Sequence, residues 1–250
     1  MNEIKYTDTL VKDTDKSQLK SKLISKYGKG EFDSPFRSTI PLVELVFEEK
    51  LLKDALKESF VYDSNAQFVF EHETSVEKGL PSCTDLVIFD KEKSCFIEAK
   101  RTEPQYETVE KWLGTPKNIN RKDVLKGWLE YINKRCNKNI RIPDVNDIVY
   151  QMVHRFASAC NGKKYTELVY ILFKPDEKDG YVKNLQKLKN LVGDIVPIRL
   201  IVLDIKENKL EELQRRWEEE KERHLSEEIR QILIEESPVM SFEKVEEIRL

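Results

Sequence analysis

The sequence has 250 residues, of which 36% are charged and 39% are hydrophobic, and its formal net charge is -3. This length allows one sizeable domain with an appendage. The near balance of charge argues against a protein that binds polyanions over its whole surface. No stretch is apolar over the length that a membrane-spanning helix needs. The first 20 residues are polar and lack the apolar core of a secretory signal, so we expect a cytoplasmic protein with no membrane partner.

The charge is unevenly distributed along the chain. Residues 207–250 contain 14 acidic and 8 basic residues, whereas residues 1–206 contain 32 acidic and 35 basic residues. Such asymmetry is more informative than the total. With the element pattern below, it predicts a polar N-terminal extension (1–36), a main domain (37–206) with a basic insertion (101–143), and a charged C-terminal helix with a tail (207–250).

The first predicted element is a helix that begins near Ile40, with Ser38 or Thr39 as its cap and Pro41 in its first turn. It covers the run "IPLVELVFEEKLLKDALKESF". Three strands follow, because "QFVFEHETSV" alternates in polarity and because "TDLVIFD" and "SCFIEA" are short runs with β-branched residues. The four residues between the last two runs suit a tight connection.

A helical pattern resumes near Asp144 and ends at Asn161-Gly162. It is followed by a strand in "TELVYILF", a helix in "YVKNLQKLKNLV" and a strand in "PIRLIVLDI". A long charged helix over roughly 207–235 completes the pattern. Its apolar residues form an interrupted stripe, which predicts packing against its own domain or, alternatively, a homodimer contact.

These elements predict an α/β fold with a mixed sheet flanked by helices. The first three strands are close in sequence and can form an antiparallel meander. The later strands alternate with helices and can therefore add in parallel.

Charged residues stand at the ends of two neighbouring predicted strands. Glu98 and Lys100 are two residues apart on one strand, so they share a face, and Asp85 begins the preceding strand. In an antiparallel pair, the start of one strand lies beside the end of the next, so Asp85 and Glu98 can meet at one edge of the sheet. Two carboxylates there repel unless a cation lies between them, and oxygen ligands suit Mg²⁺. The competing interpretation is that Asp85 caps a turn and that Glu98 and Lys100 form a solvated strand end.

Asp85 and the run Glu98-Ala99-Lys100, in the order helix, three strands, helix, strand, resemble the PD-(D/E)XK nuclease superfamily, which has the restriction-endonuclease-like fold with an αβββαβ core. The resemblance covers roughly residues 40–175. It implies that Asp85 and Glu98 bind Mg²⁺, for which Mn²⁺ can substitute, and that Lys100 assists the attacking water. Thr84 stands where the motif has a proline, with Pro81 further back.

The family often has a glutamate on the first helix that faces the metal. On a helical wheel, Glu48 falls on the apolar side, opposite a group of lysines. A carboxylate on the apolar side needs a reason, so Glu48 is the preferred catalytic and metal-binding candidate. Glu44 is the second choice and Glu49 is less favoured. The alternative interpretation is a helix-edge acid that reaches water.

Some families of this kind have Gln-x-x-x-Tyr on the helix after the Glu-x-Lys strand. This chain has Gln151, but Arg155 replaces the tyrosine. The two residues are one turn apart and share a face, so they are expected to contact a phosphate near the metal, with Gln151 counted among the catalytic residues; a polar helix face is the alternative. Glu71 and Glu73 have a weaker claim to the metal shell.

A basic segment over residues 111–141 has nine Lys or Arg against two acids, with interleaved aromatic residues. Its cations are expected to bind phosphates, whereas its aromatic residues are expected to be core. The predicted nucleic-acid contacts are Lys122, Lys126, Lys134 and Arg135, together with Arg155.

The resemblance implies a metal-dependent endonuclease that hydrolyses DNA phosphodiester bonds, in a restriction or other defence role, with RNA as the alternative substrate. The rival hypothesis is a non-catalytic nuclease fold that binds nucleic acid or a protein partner. The intact Asp85, Glu98 and Lys100 favour the enzyme, because a degenerate copy has no chemical need for all three.

Overall fold

The computed structural model describes residues 2–57, 60–114, 120–173, 178–207, 209–236, 238–248 and 250. Its strands are β1 (Glu3–Tyr6), β2 (Thr9–Val11), β3 (Gln67–Thr74), β4 (Ser82–Asp90), β5 (Lys93–Lys100), β6 (Tyr165–Phe173), β7 (Ile198–Glu207) and β8 (Met240–Ile248). They form one mixed sheet in the order β2-β1-β3-β4-β5-β6-β7-β8. The pairs β3–β4 and β4–β5 are antiparallel, and β5–β6 and β6–β7 are parallel. The predicted α/β class, with a mixed sheet that joins a meander to parallel strands, is confirmed.

Helices cover both faces of the sheet. They are α1 (Lys16–Lys26), α2 (Thr39–Phe47), α3 (Glu49–Leu56), α4 (Val109–Gly114), α5 (Arg121–Cys136), α6 (Tyr150–Cys160), α7 (Lys178–Val192), α8 (Glu211–Glu218) and α9 (Ser226–Glu235), with 3-10 turns at Lys29–Phe32 and Ile142–Val145. One apolar core lies between the sheet and α1, α2, α3, α8 and α9, and a second lies between the sheet and α4–α7. Ile97 and Ala99 face the first core and Phe96 faces the second, as strand alternation requires.

The N-terminal segment belongs to the sheet. β1 pairs in parallel with β3, and β2 pairs with β1. Ile4, Val11, Leu19 and Leu23 are buried in the first core. Charged residues between these apolar positions make the segment polar on average, so its composition alone does not predict that it contributes to the core.

The predicted first helix is two helices. It breaks at Glu48, whose backbone lies at φ -92° and ψ 64°. All nine residues of α2 are buried, whereas α3 buries only Leu52, Ala55 and Leu56. A helix that is buried on every side and a helix that is buried on one side must lie differently relative to the core. The kink at Glu48 gives α2 and α3 these different directions.

The prediction of one long C-terminal helix over 207–235 is wrong. A straight helix of that length would extend about 43 Å. The chain instead turns between α8 and α9, with Lys221 at φ 59°, and Arg216 donates hydrogen bonds to Glu222 and Glu228 across the turn. The turn places Leu213 and Ile229 in the same core. The predicted tail contains β8, which is antiparallel to β7.

The basic insertion contains helices α4 and α5, which pack on the sheet. α5 buries Leu125, Trp128, Leu129 and Ile132 in the second core. Trp112 stacks on Tyr150 with ring centroids 3.7 Å apart. The prediction that these aromatic residues serve packing is confirmed for Trp128. Among the described residues, no helix combines the length and the apolar content needed to cross a bilayer.

Candidate active site

The β4–β5 hairpin brings Asp85 and Glu98 together. Its two strands join through a two-residue turn that pairs Asp90 with Lys93, and their register pairs Leu86 with Ile97. Asp85 therefore lies across from Glu98. The Asp85 Oδ2 atom accepts a hydrogen bond of 2.7 Å from the backbone N–H of Ala99. The predicted meeting of the two carboxylates at one end of the sheet is present in the structure.

Glu98 is fully buried among three donors. Its Oε1 atom lies 2.7 Å from the Lys100 Nζ atom and accepts a 2.8 Å hydrogen bond from the Gln151 Nε2 atom. Its Oε2 atom accepts a hydrogen bond from the Arg155 Nε atom. Burial acts in the opposite direction, but the charges of Arg155 and Lys100 lower the pKa of Glu98. Glu98 is therefore ionised in this arrangement.

Helix α6 supplies two of these donors. Met152, Val153, Phe156 and Ala157 are buried in the second core. Gln151 and Arg155, one turn apart, are held against the end of β5. The predicted shared face of these two residues is confirmed, and the group that they contact is Glu98. Arg155 replaces the tyrosine of the motif, so this helix contributes a charge as well as an amide.

Arg155 also links Glu98 to the first residue of β4. Its Nη1 atom donates a 2.5 Å hydrogen bond to the Ser82 Oγ atom, which lies 2.9 Å from the His154 Nδ1 atom. Burial and then the Arg155 charge lower the pKa of His154 well below its usual value. His154 is therefore neutral at physiological pH. No pattern in the sequence points to Ser82 or to His154.

Glu71 adds a further carboxylate beside Asp85. The β3–β4 register pairs Phe70 with Leu86 and His72 with Thr84, which places Glu71 across from Asp85. The backbone of Glu71 is left-handed, at φ 50°. A non-glycine residue inside a strand seldom adopts this conformation, which is found more often at functional sites. Glu71 is a weak candidate from the sequence, and the structure places it beside the acidic pair. Glu73 is exposed.

Burial and the neighbouring negative charges raise the pKa values of Asp85 and Glu71. Burial and the charge of Glu98 raise the pKa of Asp85 to about 7. Burial and then the charges of Asp85 and Glu31 raise the pKa of Glu71 to about 8. Glu31 lies in the Lys29–Phe32 turn and accepts a 3.2 Å hydrogen bond from the Thr39 Oγ1 atom. Sequence reasoning missed Glu31, because it belongs to a polar segment with no motif.

The acids of the first helix do not join this group. Glu48 is exposed at the kink. Thr39, which contacts Glu31, begins α2, and Glu48 follows that helix about 13 Å along its axis. Glu44 is buried in an ion pair of 2.6 Å with Lys20. Glu49 is exposed and pairs with Lys53. The acid from this region whose charge acts on Glu71 is instead Glu31, from the turn before α2.

The predicted nucleic-acid contacts separate into two sets. Lys122, Lys126 and Lys134 are exposed on α5, and Lys126 lies 3.8 Å from Asp123. Arg135 donates to the backbone carbonyls of Lys163 and Lys164, and Arg155 is buried on Glu98. Three of the five therefore face solvent, and the other two bind groups within the protein.

The carboxylate oxygens of Asp85 and Glu98 fit a divalent cation that retains part of its water shell. The part of the chain that the structure describes holds no group of three or more His, Cys, Asp or Glu side chains arranged around one metal position. Mg²⁺ is commonly held by one or two carboxylates and several waters. No hydrogen bond or ion pair within the described residues engages the Asp85 Oδ1 atom, and the Glu98 Oε2 atom accepts from Arg155 alone. Each carboxylate thus retains an oxygen with acceptor capacity.

Comparisons with known proteins give a family without an assigned activity. No curated protein and no solved structure matches the chain. The sequence profile of one family, described as a domain of unknown function (DUF6946), matches residues 16–210. This match covers most of the chain, including every residue of the candidate site, and the chain therefore belongs to that family.

Proposed function

We propose that this protein is a metal-dependent nuclease that hydrolyses phosphodiester bonds of DNA. The observation that carries the proposal is the juxtaposition of Asp85, Glu98 and Lys100 at one end of β4 and β5. A helix, three antiparallel strands, a second helix and a parallel strand surround them. This order supports the finer assignment to the restriction-endonuclease-like fold. RNA is the alternative substrate.

Asp85 and Glu98 are the residues that would hold Mg²⁺, with Mn²⁺ as a substitute. When bound, the cation polarises a phosphoryl oxygen and lowers the pKa of a water molecule. Gln151 and Arg155 fix the Glu98 carboxylate through both of its oxygens, and the Ala99 amide orients Asp85. The protein thus sets the direction of both carboxylates before substrate arrives.

Lys100 contributes positive charge. Burial opposes ionisation, but the carboxylates of Glu98 and Asp85 raise the pKa of Lys100. Lys100 therefore carries its proton in this arrangement. A fixed ammonium beside the reacting phosphate stabilises negative charge that develops in the transition state. It also offers a hydrogen-bond donor that orients the attacking water.

Exposed lysines on α5 also support the nuclease proposal. Lys122 and Lys126 lie in the first half of α5, and α5 packs beside α6, the helix that contacts Glu98. Cations in this position would bind phosphates on either side of the cleaved bond. A restriction or defence role would suit such an enzyme by analogy with the resembling superfamily.

One observation favours a non-catalytic alternative. Arg155, Lys100 and Gln151 already give each oxygen of Glu98 a partner, so this buried network can serve as structural support without a metal. On that hypothesis the protein is a nuclease-fold module that binds nucleic acid or a protein partner. The placement of Glu71 and Glu98 across from Asp85 favours the enzyme, because neighbouring carboxylates repel one another and are a burden to a purely structural site.

Cleavage assays separate the two functions. Supercoiled plasmid, short duplexes, single strands and RNA are incubated with the protein in Mg²⁺, Mn²⁺ or EDTA. The enzyme hypothesis predicts cleavage that depends on the metal and that Asp85→Asn and Glu98→Gln abolish at low metal concentration. Binding without cleavage of any substrate, unaffected by metal, would support the non-catalytic module.

A further inference from the structure

Exposed hydrophobic side chains occur at both ends of the sheet. Among the described residues, the large ones are Val61, Leu80, Tyr106, Tyr165, Ile195 and Val245. Leu80 lies in the β3–β4 connection and Tyr106 follows β5, so both lie beyond the end of the sheet that holds Glu98. Val61, Tyr165 and Ile195 precede β3, β6 and β7 and lie at the opposite end, where Lys93 begins β5. Two of the six therefore flank the candidate active site.

The loop that carries Leu80 is anchored on α5. Lys78 lies 2.8 Å from Asp123, and Tyr131 donates a 2.9 Å hydrogen bond to the Ser75 carbonyl. Gly79 has φ +98°, and a Cβ atom there would meet a Val124 methyl group at 2.9 Å. Only glycine fits this turn, which leaves Leu80 88% exposed. An anchored loop that holds a leucine in water suggests a binding role, because the anchors prevent its retreat to the core.

The loop that carries Tyr106 is anchored in the same way. Glu103 accepts hydrogen bonds of 2.8 Å from the Ser38 and Arg101 amides. Gln105 accepts a 2.6 Å hydrogen bond from the Asn184 side chain, and the Glu107 carbonyl accepts from the Tyr150 amide at 3.0 Å. Tyr106, between two anchored residues and six residues after Lys100, is 58% exposed.

We propose that Tyr106 stacks on a nucleobase and that Leu80 packs against another, on opposite sides of the scissile phosphate. The inference rests on the proposed nuclease function and narrows its substrate to nucleic acid with unstacked bases, such as a single strand, a flap or a bulge. An aromatic ring offers a π-face to any base, and an apolar side chain can separate neighbouring bases. The nearby lysines of α5 favour nucleic acid over an apolar protein partner at this end of the sheet.

The decisive experiment compares two ligands that share a backbone. An oligodeoxythymidine strand and an abasic strand of equal length are bound in Ca²⁺, without turnover, to wild type, Tyr106→Ala and Tyr106→Phe. Removal of one stacked ring should weaken binding of the thymidine strand by about tenfold. Binding of the abasic strand should not change, and Tyr106→Phe should retain wild-type affinity for both strands.

Matched controls lie at the other end of the sheet. Tyr165 is 59% exposed, nearly the same as Tyr106, so Tyr165→Ala should leave both affinities unchanged. Leu80→Ala should weaken thymidine-strand binding several-fold, and Val61→Ala should not. A fully paired duplex should respond less than the single strand to Tyr106→Ala.

The outcomes separate this inference from the nuclease proposal. Equal weakening on both strands, or no weakening in Tyr106→Ala, overturns the base contact while metal-dependent cleavage by wild type still supports the nuclease. Wild type that binds neither strand overturns the inference, and the absence of cleavage then overturns the nuclease proposal separately. If Tyr106→Ala instead converts a self-associated protein into a monomer in sedimentation, the exposed pair is a protein contact and the inference fails.

Discussion

Arg155 and Glu98 form a buried ion pair between helix α6 and strand β5. Removing one partner of a buried pair typically destabilises a protein by about 3–5 kcal/mol, and here Lys100 would still offset part of the Glu98 charge. Arg155→Met should therefore lower the free energy of unfolding by up to roughly this amount in urea titrations. Lys122→Met, at an exposed site, should change it by less than about 0.5 kcal/mol. Equal stability of the two variants would show that Glu98 is not held as the structure indicates.

Lys100→Ala should separate binding from catalysis. The variant retains Asp85 and Glu98 and should bind metal and DNA. A loss of about a thousandfold in cleavage rate would correspond to roughly 4 kcal/mol of transition-state stabilisation. Lys93→Ala, on the same strand at its far end, should cleave at the wild-type rate. The measurement is single-turnover plasmid cleavage across a Mg²⁺ titration. A Lys100→Ala variant as fast as Lys93→Ala would refute the role of the ammonium.

The contribution of Glu71 and Asp85 to the stability of the metal-free protein should fall as the pH rises. The pKa of Glu71 is raised to about 8 and that of Asp85 to about 7 in the folded state. Between about pH 4 and these values, these two carboxyls bind more protons in the folded protein than in the unfolded chain, so their contribution to the free energy of unfolding decreases with pH through this window. Urea unfolding in EDTA from pH 5 to pH 8 measures the slope.

Glu71→Gln should make that slope shallower, because the substituted residue no longer titrates. Glu73→Gln is the matched control on the same strand, since Glu73 is exposed. Addition of Mg²⁺ should reduce the loss of stability above pH 7 by neutralising the carboxylates. Identical slopes for wild type and Glu71→Gln would contradict the assignment of Glu71 to the acidic group.

Replacement of Lys122, Lys126 and Lys134 by Ala should weaken nucleic-acid binding for every sequence. The slope of log K against log salt should decrease by about one for each phosphate that the variant no longer binds. Lys12, Lys50 and Lys57 are exposed on other elements and provide a charge-matched control. Arg135→Ala should mainly reduce stability, because this side chain binds backbone carbonyls. Equal salt slopes for the two triple variants would show that the α5 lysines only solvate the helix.

Removal of residues from Lys209 onward should destabilise the protein rather than release a monomer. Leu210, Leu213, Leu225, Ile229 and Leu233 are buried in the first core, and β8 completes one edge of the sheet. Ile229→Ala alone should lower the free energy of unfolding by about 2–5 kcal/mol. Sedimentation and thermal unfolding of both proteins test this. A truncated protein that stays folded and monomeric, from a dimeric full-length protein, would support the homodimer instead.

Local patterns predict the part of the site that lies within one hairpin. Side chains alternate between the two faces of a strand, so Glu98 and Lys100 share a face. The short connection makes the two strands antiparallel, and the meeting of Asp85 with Glu98 therefore follows from the sequence. The shared face of Gln151 and Arg155 follows from helical spacing. That both residues contact Glu98 depends on how α6 packs on the sheet, which spacing does not determine.

The incorrect predictions share a physical origin. A helical wheel puts Glu48 on the apolar side of a straight helix, but a kink without Gly or Pro rotates the second half of that segment. The apolar stripe over 207–235 is interrupted but helical in spacing, and its two halves can reach one core only if the chain turns between them. Glu31 and β1 lie in segments whose composition is polar. In each case tertiary packing overrides the local signal.

The site also has an order of assembly. Asp85 and Glu98 meet within a hairpin closed by two residues, whereas Gln151 and Arg155 reach Glu98 across separations of 53 and 57 residues. Short-range contacts form before long-range ones, because closing a longer loop loses more chain entropy. We therefore expect the folding chain to bring the two carboxylates together with Lys100 as their nearby cation, before Arg155 arrives. Docking of α6 then adds a second cation and an amide to Glu98, so the charge balance of this site is completed only when the helix packs on the hairpin.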